Sequence, residues 1–235
     1  MTATGAKPKA PGSKVRSPLT RERVIDAAVR IMDAEGLEAV TMRRVAREVG
    51  VEAMSLYHHV RDKEDLLDDI CVHVMREFRI PAGPSAGWPE SGRYAAREWR
   101  RLLKSHPNVI SVFAERRKPM TELDALRPME FALSTILETG MSLRDAVEVF
   151  NVVGGYIMGF VMMETGMMFS AGALDQDAPN PDEAARLLPQ GEVPVIHAAL
   201  PHLATCDPDE QFELGLDLLL AGIAARFGTS SPDTR

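Results

Sequence analysis

The sequence predicts an all-α protein, in which a small N-terminal bundle of three helices is joined by a fourth helix to a larger helical domain. Long stretches mix Ala, Leu, Arg and Glu, residues that favour helix. Aromatic residues make up only 6% of the 235 residues, and β-branched runs are few. Apolar side chains recur every three or four positions, the spacing of one helix face. The apolar fraction of 45% is large enough to build a core.

The two ends of the chain differ from its body in composition. Residues 1–17 are rich in Lys, Pro, Gly and Ser and predict a disordered basic arm, and residues 229–235 predict a disordered tail. Order is expected to begin at Thr20, a residue type that caps helix N-termini. Apolar residues then follow at helical spacing until Gly36, which ends the first helix.

Two short helices with a glycine between them come next. Thr41 caps a strongly basic second helix, which Gly50 ends. A third helix is predicted from Glu52 to His59. Helix, glycine-centred turn and short helix form the layout of a helix-turn-helix. The apolar residues available to pack these two helices together are Val45, Val49, Leu56 and Val60.

A fourth helix connects the two parts of the chain. Asp62 caps its N-terminus, and Pro81 follows its end. Its apolar stripe consists of Leu66, Ile70, Val74 and Phe78. We therefore predict one domain over residues 18–79 and a second over residues 80–228.

The second domain is predicted to contain five helices. They run over residues 90–104, 109–117, 120–139, 142–169 and 209–227. Pro128 is expected to kink the third of these or to split it in two. Residues 170–194 are rich in Gly, Asp and Pro and predict a flexible loop. The last helix has its apolar side at Phe212, Leu216, Leu219, Leu220 and Ile223.

The charge is distributed unevenly. The net charge is −7, but residues 1–63 hold 12 Lys and Arg against 8 Asp and Glu, a net of +4, and the remainder holds 15 against 26, a net of −11. A basic end on an acidic body is typical of a protein whose one end meets phosphate groups. A solvated basic tail is the alternative explanation of this charge pattern.

Several classes of protein are disfavoured. Cys71 and Cys206 stand far apart without a CxxC motif, which indicates reduced thiols in a cytoplasmic protein. The uncharged run from Val149 to Met163 has 15 residues, fewer than the ~20 that span a bilayer, so we expect a buried helix and no membrane partner. There is no nucleophile elbow, phosphate loop or HExxH motif, so we expect no enzyme, no cofactor and no metal site.

Three polar rings stand in a row at Tyr57, His58 and His59. Adjacent helical residues point about 100° apart, so at least one of these rings must face outward. In a helix-turn-helix the second helix lies in the major groove, where Tyr57 and His59 could donate to phosphates and His58 could reach a base edge. The alternative is a half-buried helix end. The other outward residues that suit DNA contacts are Arg43, Arg44, Ala53, Met54, Ser55 and Lys63.

Residues 19–78 resemble the N-terminal domain of TetR-type repressors. The matching motifs are T-x-R-x-V-A-x-x-x-G from Thr41, S-L-Y-x-H from Ser55 and V-x-x-K-x-x-L-L from Val60. The resemblance implies a phosphate contact at Thr41. It also implies DNA contacts at Arg43, Met54, Ser55, Tyr57, His58, His59 and Lys63.

The rest of the chain resembles the tetracycline-repressor branch of this family. The segment GMSLRDAVEVFNVVGGYIMGFV looks like the long core helix of that branch. Drug-binding members hold a magnesium–tetracycline chelate through histidines and a glutamate. The resemblance puts Arg79, Phe113, Gly155 and Met163 at those positions. It therefore implies that this chain does not sense tetracycline through a metal.

An apolar pocket is expected where the metal site would be. Such a pocket suits a bulky hydrophobic ligand fixed by one or two hydrogen bonds, and methionine lets it adapt in shape. The alternative is that these side chains only pack the core. The predicted pocket residues are Trp99, Phe113, Arg117, Phe131, Phe150, Asn151, Tyr156, Met158, Met162 and Met163.

The leading hypothesis is a homodimeric, cytoplasmic transcriptional repressor that a hydrophobic small-molecule effector releases from a double-stranded DNA operator. The helix from Ser142 and the helix from Asp209 would form the dimer face as a four-helix bundle. One alternative is a transcriptional activator or a ligand-independent regulator. From another class, the alternatives are a helical lipid carrier and an enzyme.

Overall fold

The computed structural model describes residues 18–82, 87–115, 120–167, 181–189 and 191–228. Within these ranges the chain is helical and contains no strand, so the prediction of an all-α fold is confirmed. A short 3-10 helix, Leu37–Ala39, accompanies eleven α-helices. The α-helices are α1 Arg21–Glu35, α2 Met42–Val49, α3 Ala53–Leu56, α4 Lys63–Arg76, α5 Glu90–Ser105, α6 Val109–Glu115, α7 Leu123–Leu137, α8 Leu143–Glu164, α9 Pro181–Leu187, α10 Pro194–Leu203 and α11 Pro208–Phe227.

The N-terminal bundle begins at the residues that the sequence indicates. The Thr20 hydroxyl accepts a hydrogen bond from the Arg23 N–H at 3.2 Å, and the Thr41 hydroxyl accepts one from the Arg44 N–H at 3.1 Å. Gly50 ends α2 in the left-handed conformation, which a residue with a Cβ rarely adopts. The buried core of the bundle includes Val24, Ala28, Ile31, Val45, Ala46, Leu56, Val60, Leu66 and Ile70.

Helix α4 belongs to both parts of the molecule. Asp62 caps it by accepting a hydrogen bond from the Asp65 N–H at 2.8 Å. It packs against α1 on the N-terminal side and against α6 and α7 on the other side. Its predicted apolar stripe, Leu66, Ile70, Val74 and Phe78, is buried throughout. Helix α4 is therefore a direct physical connection between the two domains.

Helix α8 lies at the centre of the second domain and packs against α5, α7 and α11. It is the one helix among the described residues that is long and apolar enough to cross a membrane, a test that a core helix also passes. At its crossing with α11, the Tyr156 hydroxyl donates to the Phe212 carbonyl at 2.9 Å. The Tyr156 ring lies so close to Gly215 that a Cβ there would collide with it.

Three predicted helix boundaries are corrected by the structure. The third helix spans only Ala53–Leu56, and Tyr57, His58 and His59 form the turn after it. Helix α8 ends at Glu164 instead of continuing to Phe169, because the chain turns at Thr165 and Gly166, where φ of Gly166 is positive. Pro128 does not split α7, which runs unbroken from Leu123 to Leu137.

The prediction of a loop over residues 170–194 is wrong at its C-terminal end. Residues Pro181–Leu187 form α9, since proline suits the first turn of a helix and Ala, Arg and Leu favour its continuation. The following helix, Pro194–Leu203, was not predicted. The rest of that segment up to residue 180, and the predicted arm and tail at residues 1–17 and 229–235, lie outside the described residues.

Candidate nucleic-acid interface and apolar cavity

The turn between α2 and α3 presents one side of α3 to solvent. The N–H groups of Gly50 and Val51 both donate to the Ala46 carbonyl, at 2.9 and 3.0 Å, which closes the turn tightly. Leu56 points into the core and is fully buried. The opposite side of α3 is open, since Met54 is 72% exposed and Tyr57 is 46% exposed.

The ten predicted DNA-binding residues are all at least partly accessible. Six are exposed, namely Thr41, Arg43, Met54, Tyr57, His58 and Lys63. Four are half-buried, namely Arg44, Ala53, Ser55 and His59. Their accessibility permits the predicted contacts.

Arg44 differs from the other predicted cations because it already has two carboxylate partners. Its Nη2 lies 2.5 Å from Oε1 of Glu35, and its Nη1 lies 2.8 Å from Oε2 of Glu48. These hydrogen bonds raise the pKa of Arg44. Arg43 and Lys63 form no ion pair with any described residue, so their charges are available for phosphate.

Asp65, which the sequence did not single out, holds the turn after α3. Its carboxylate accepts from the Arg61 N–H at 2.9 Å, from the Arg61 guanidinium at 2.8 Å and from Arg21 at 3.3 Å. These hydrogen bonds, led by the Arg61 side chain, lower the pKa of Asp65 to about 2. Arg21 also donates to the His59 carbonyl at 2.8 Å and so fixes the backbone of the turn formed by Tyr57, His58 and His59.

The second domain contains an apolar cavity of about 520 Å³. Its walls come from α4, α5, α6, α7 and α8, with one contribution from α11. Three rings form a continuous aromatic wall: the Phe78 and Trp99 centroids are 6.4 Å apart, and those of Trp99 and Phe113 are 5.9 Å apart. Trp88 and the methionines 75, 120, 129 and 158 also line the cavity. Its volume and composition are those of a small-molecule site.

Five of the ten predicted ligand-binding residues line this cavity. They are Trp99, Phe113, Phe150, Asn151 and Met158. Arg117 lies outside the described residues. The structure also places Met75 of α4, Phe78 just beyond its end and Thr135 of α7 in the cavity wall. The sequence indicated Phe78 through the apolar stripe of the fourth helix and did not indicate Met75 or Thr135.

Four predicted pocket residues do not line the cavity. Tyr156 instead stacks on Phe212, with ring centroids 5.6 Å apart, and Phe131 packs edge-on against Tyr94. Met162 packs against the core, and Met163 is 45% exposed. On α8 the cavity side includes Phe150, Gly154 and Met158, at four-residue spacing, so Tyr156 and Met163 fall on other sides. Met162 continues this row but lies one turn beyond Met158, the last residue of α8 that lines the cavity.

The polarity of the cavity is low. Among the described residues that line it, no side chain is ionisable, and the polar side-chain groups are the Thr135 hydroxyl, the Asn151 amide and the indole N–H groups of Trp88 and Trp99. No group of three or more His, Cys, Asp or Glu residues within the described ranges is placed to hold a metal ion.

The turn between α5 and α6 joins the second domain to α1. His106 Nδ1 lies 2.8 Å from Oδ2 of Asp33, and its Nε2 lies 3.3 Å from Oε2 of Glu77. The hydrogen bond with Asp33 is the main cause that raises the pKa of His106. Two residues on, the Asn108 amide donates to the Met32 carbonyl at 2.9 Å.

Comparisons with known proteins match two separate stretches of the chain. Residues 24–70 match the family profile described as bacterial regulatory proteins, tetR family. Residues 80–227 match the profile described as tetracyclin repressor-like, C-terminal domain.

The curated relatives are repressors and regulators. The chain is 34% identical over 225 residues to the HTH-type transcriptional repressor DrrR1 of Streptomyces coeruleorubidus, covering 91% of this chain and 82% of that protein. It is 31% identical over 206 residues to the class D tetracycline repressor protein of Escherichia coli, covering 87% and 88%. Among solved structures, ActR of Streptomyces coelicolor in complex with actinorhodin superposes with a TM-score of 0.71 at 26% identity, covering 92% of this chain and all of that one.

Proposed function

Since this chain belongs to the TetR family of bacterial transcriptional regulators, we propose that it works as a homodimeric repressor that an apolar small molecule releases from its operator. Its relatives are transcriptional repressors rather than enzymes or carriers. As a DNA-binding bacterial regulator, the protein is proposed to act in the cytoplasm. The observation that carries the proposal is the apolar cavity in contact with α4, the helix that also enters the DNA-binding bundle.

The DNA side of the proposal rests on the open face of α3 and on the free cations beside it. Tyr57, His58 and His59 stand in the turn after α3, and the Thr41 hydroxyl, although it caps α2, retains its own proton to donate to a phosphate. Arg43 and Lys63 are exposed and unpaired among the described residues. We propose these groups, together with Met54 and Ser55, as the contacts to bases and phosphates.

The dimer side rests on exposed apolar faces of α8 and α11. On α11, Leu214 and Leu218 are 61% and 66% exposed, and Ala221 and Ala225 continue the same side at the spacing of a helix–helix seam. On α8, Val152 and Met163 are 54% and 45% exposed, and their eleven-residue separation puts them on one side of the helix. A second copy that covers these faces would build a four-helix bundle. A two-fold dimer presents two α3 helices to a near-palindromic operator.

The release mechanism follows from linkage between the two sites. Met75 and Phe78 line the cavity near the C-terminal end of α4, and Lys63 begins its other end. A ligand that binds best when α4 is displaced would change the separation of the two α3 helices. Operator DNA must then weaken ligand binding by the same factor that the ligand weakens DNA binding, typically about 5–150-fold.

The experiment is a titration of the purified protein into DNA from upstream of its own gene, or into a site selected from random DNA, followed by fluorescence anisotropy. Tight, salt-sensitive binding with two protomers per site supports the proposal, and apolar compounds are then screened for release. Ala132→Phe, which fills the cavity, is expected to keep operator binding and lose release. Ser134→Phe, on the exposed side of the same helix, serves as the matched control. Operator binding that no cavity-filling variant uncouples from ligand would contradict the mechanism.

A further inference from the structure

We propose that the cavity selects an uncharged aromatic ligand that carries a hydroxyl or carbonyl oxygen, and that the Thr135 hydroxyl is the group that recognises this oxygen. The proposal rests on the ligand-responsive function above and narrows the chemical class of its ligand.

The described walls of the cavity contain no ionisable side chain, and most of their surface is apolar. A carboxylate, sulfonate or ammonium group placed among them would lose its hydration without gaining a counter-charge, which is strongly unfavourable. The Asn151 amide, which is exposed, cannot neutralise a full charge. The part of a ligand that these described walls enclose is therefore expected to be uncharged.

Thr135 is 2% exposed and lines the cavity from α7. Threonine in a helix often donates to a carbonyl of the preceding turn, as the hydroxyls of Thr139 and Thr165 do at 2.7 Å. No hydrogen bond joins the Thr135 hydroxyl to another described residue, and its oxygen is not among the fully enclosed polar atoms that lack a partner, so it is open to the cavity. A ligand oxygen at this point can therefore accept a hydrogen bond from Thr135 in exchange for any bond to cavity water.

Aromatic side chains give the cavity its shape: the rings of Phe78, Trp99 and Phe113 form one wall, and Trp88 adds a further ring. Offset or tilted contacts between aromatic rings are favourable beyond the area they bury. Methionine side chains at the remaining gaps can adapt to rings of different outline. An aromatic ligand therefore fits these walls better than a flexible aliphatic chain does.

The charge rule can be tested with two probes that share one ring system. N-phenyl-1-naphthylamine is neutral, and 1-anilinonaphthalene-8-sulfonate carries a sulfonate on the same scaffold. Both tryptophans of the chain, Trp88 and Trp99, line the cavity, so energy transfer from tryptophan reports probe binding near them, and its loss on filling the cavity assigns the probe to the cavity itself. We expect the neutral probe to bind at least about tenfold more tightly. Ala132→Phe should abolish the transfer. Equal affinity for the two probes would overturn the inference.

The role of Thr135 can be tested with prodan, a neutral naphthyl ketone whose emission shifts to longer wavelength when its carbonyl accepts a hydrogen bond. Thr135→Val removes the hydroxyl with little change of shape, and Thr135→Ser keeps it. The Val variant should emit at shorter wavelength and bind prodan roughly 5–10-fold more weakly. The Ser variant should keep the native emission. Unchanged emission and affinity in Thr135→Val would overturn the assignment of Thr135.

The outcomes separate this inference from the proposed function. Release of operator by apolar compounds, together with no preference for the neutral probe or no effect of Thr135→Val, overturns the inference and leaves the repressor proposal standing. Absence of any probe binding that Ala132→Phe can abolish, in a protein that still binds its operator, overturns the inference and the proposed ligand response together.

Discussion

His106 Nδ1 lies 2.8 Å from Oδ2 of Asp33, so a side chain at the end of α5 holds the last turn of α1. The hydrogen bond with Asp33 raises the pKa of His106 above its ordinary value of 6.5. A raised pKa means that this contact stabilises the fold fully below pH 6.5 and that the stabilisation is lost as the pH rises through the folded-state pKa.

We therefore predict that His106→Gln lowers the free energy of unfolding by on the order of 1 kcal/mol near pH 6, and by less near pH 8.5. Urea denaturation at the two pH values measures the difference. His202→Gln, the same replacement at an exposed position on α10, is the control. A cost that is the same at both pH values would mean that the charged form of His106 is not what Asp33 stabilises.

Asp65 supplies a second pH-dependent prediction, with the opposite sign. Its pKa of about 2 is below the ordinary 3.8, so its stabilisation is present above pH 3.8 and is lost as the pH falls toward 2. Asp65→Asn should cost about 2 kcal/mol of unfolding free energy at neutral pH and almost nothing near pH 2. Acid and urea unfolding monitored by circular dichroism test this. Glu38→Gln, an exposed carboxylate, is the control.

The adjacent arginines 43 and 44 allow a matched test of the DNA interface. Arg43 is exposed without an ion pair among the described residues, whereas Arg44 is held by Glu35 and Glu48. Each phosphate that a cation neutralises adds about 0.9 to the slope of log affinity against log salt. Arg43→Gln should therefore reduce this slope by about 1 per protomer. Arg44→Gln should reduce it by less, and the reverse order would show that DNA breaks the Arg44 ion pairs.

Met54 is 72% exposed on α3 and offers an apolar contact to a thymine methyl group. Replacing each operator thymine in turn by uracil removes only that methyl. We predict that one position per half-site weakens binding of the native protein by about 1 kcal/mol and that Met54→Ala abolishes this difference. Binding isotherms of both proteins on both DNAs complete the cycle. Sensitivity to uracil that survives in Met54→Ala would assign the contact to another residue.

The proposed dimer face can be tested with two leucines that are equally exposed. Leu218 on α11 and Leu123 at the start of α7 are both 66% exposed. Leu218→Glu is expected to convert the protein to a monomer with weak operator binding, because a carboxylate would be buried in the proposed bundle. Leu123→Glu is expected to leave the dimer intact. Sedimentation velocity distinguishes the two, and an unchanged sedimentation coefficient in Leu218→Glu would place the interface elsewhere.

The N-terminal bundle could be predicted from the sequence in detail because its boundaries are set by local chemistry. Thr41 and Asp62 cap helices through their own side chains, and Gly50 provides a left-handed residue at the turn. None of these signals depends on distant residues. The ion pair of Arg44 with Glu35 was missed for the opposite reason, since nine residues and a 3-10 helix separate the two side chains.

The cavity could be predicted only in part because α8 is apolar on nearly every side. A helix with one polar face shows which side is buried, but α8 from Val149 to Met163 has no charge to orient it. The sequence therefore could not separate Phe150 and Met158, which line the cavity, from Tyr156, which packs on α11. Thr135 was missed because a single hydroxyl in a helix has no distinguishing pattern.

The length of α4 determines how small a movement at the cavity can displace the residues at its DNA-side end. Its fourteen residues give a length of about 21 Å at 1.5 Å per residue. A rigid rod of that length, pivoting by about 3° at its cavity end, carries its far end by about 1 Å. Lys63 and Asp62 stand at that far end, next to the turn that holds Tyr57. A rearrangement smaller than the width of one methyl group around Phe78 is therefore enough to move Lys63, which we propose as a phosphate contact, by a sizeable part of a hydrogen-bond length.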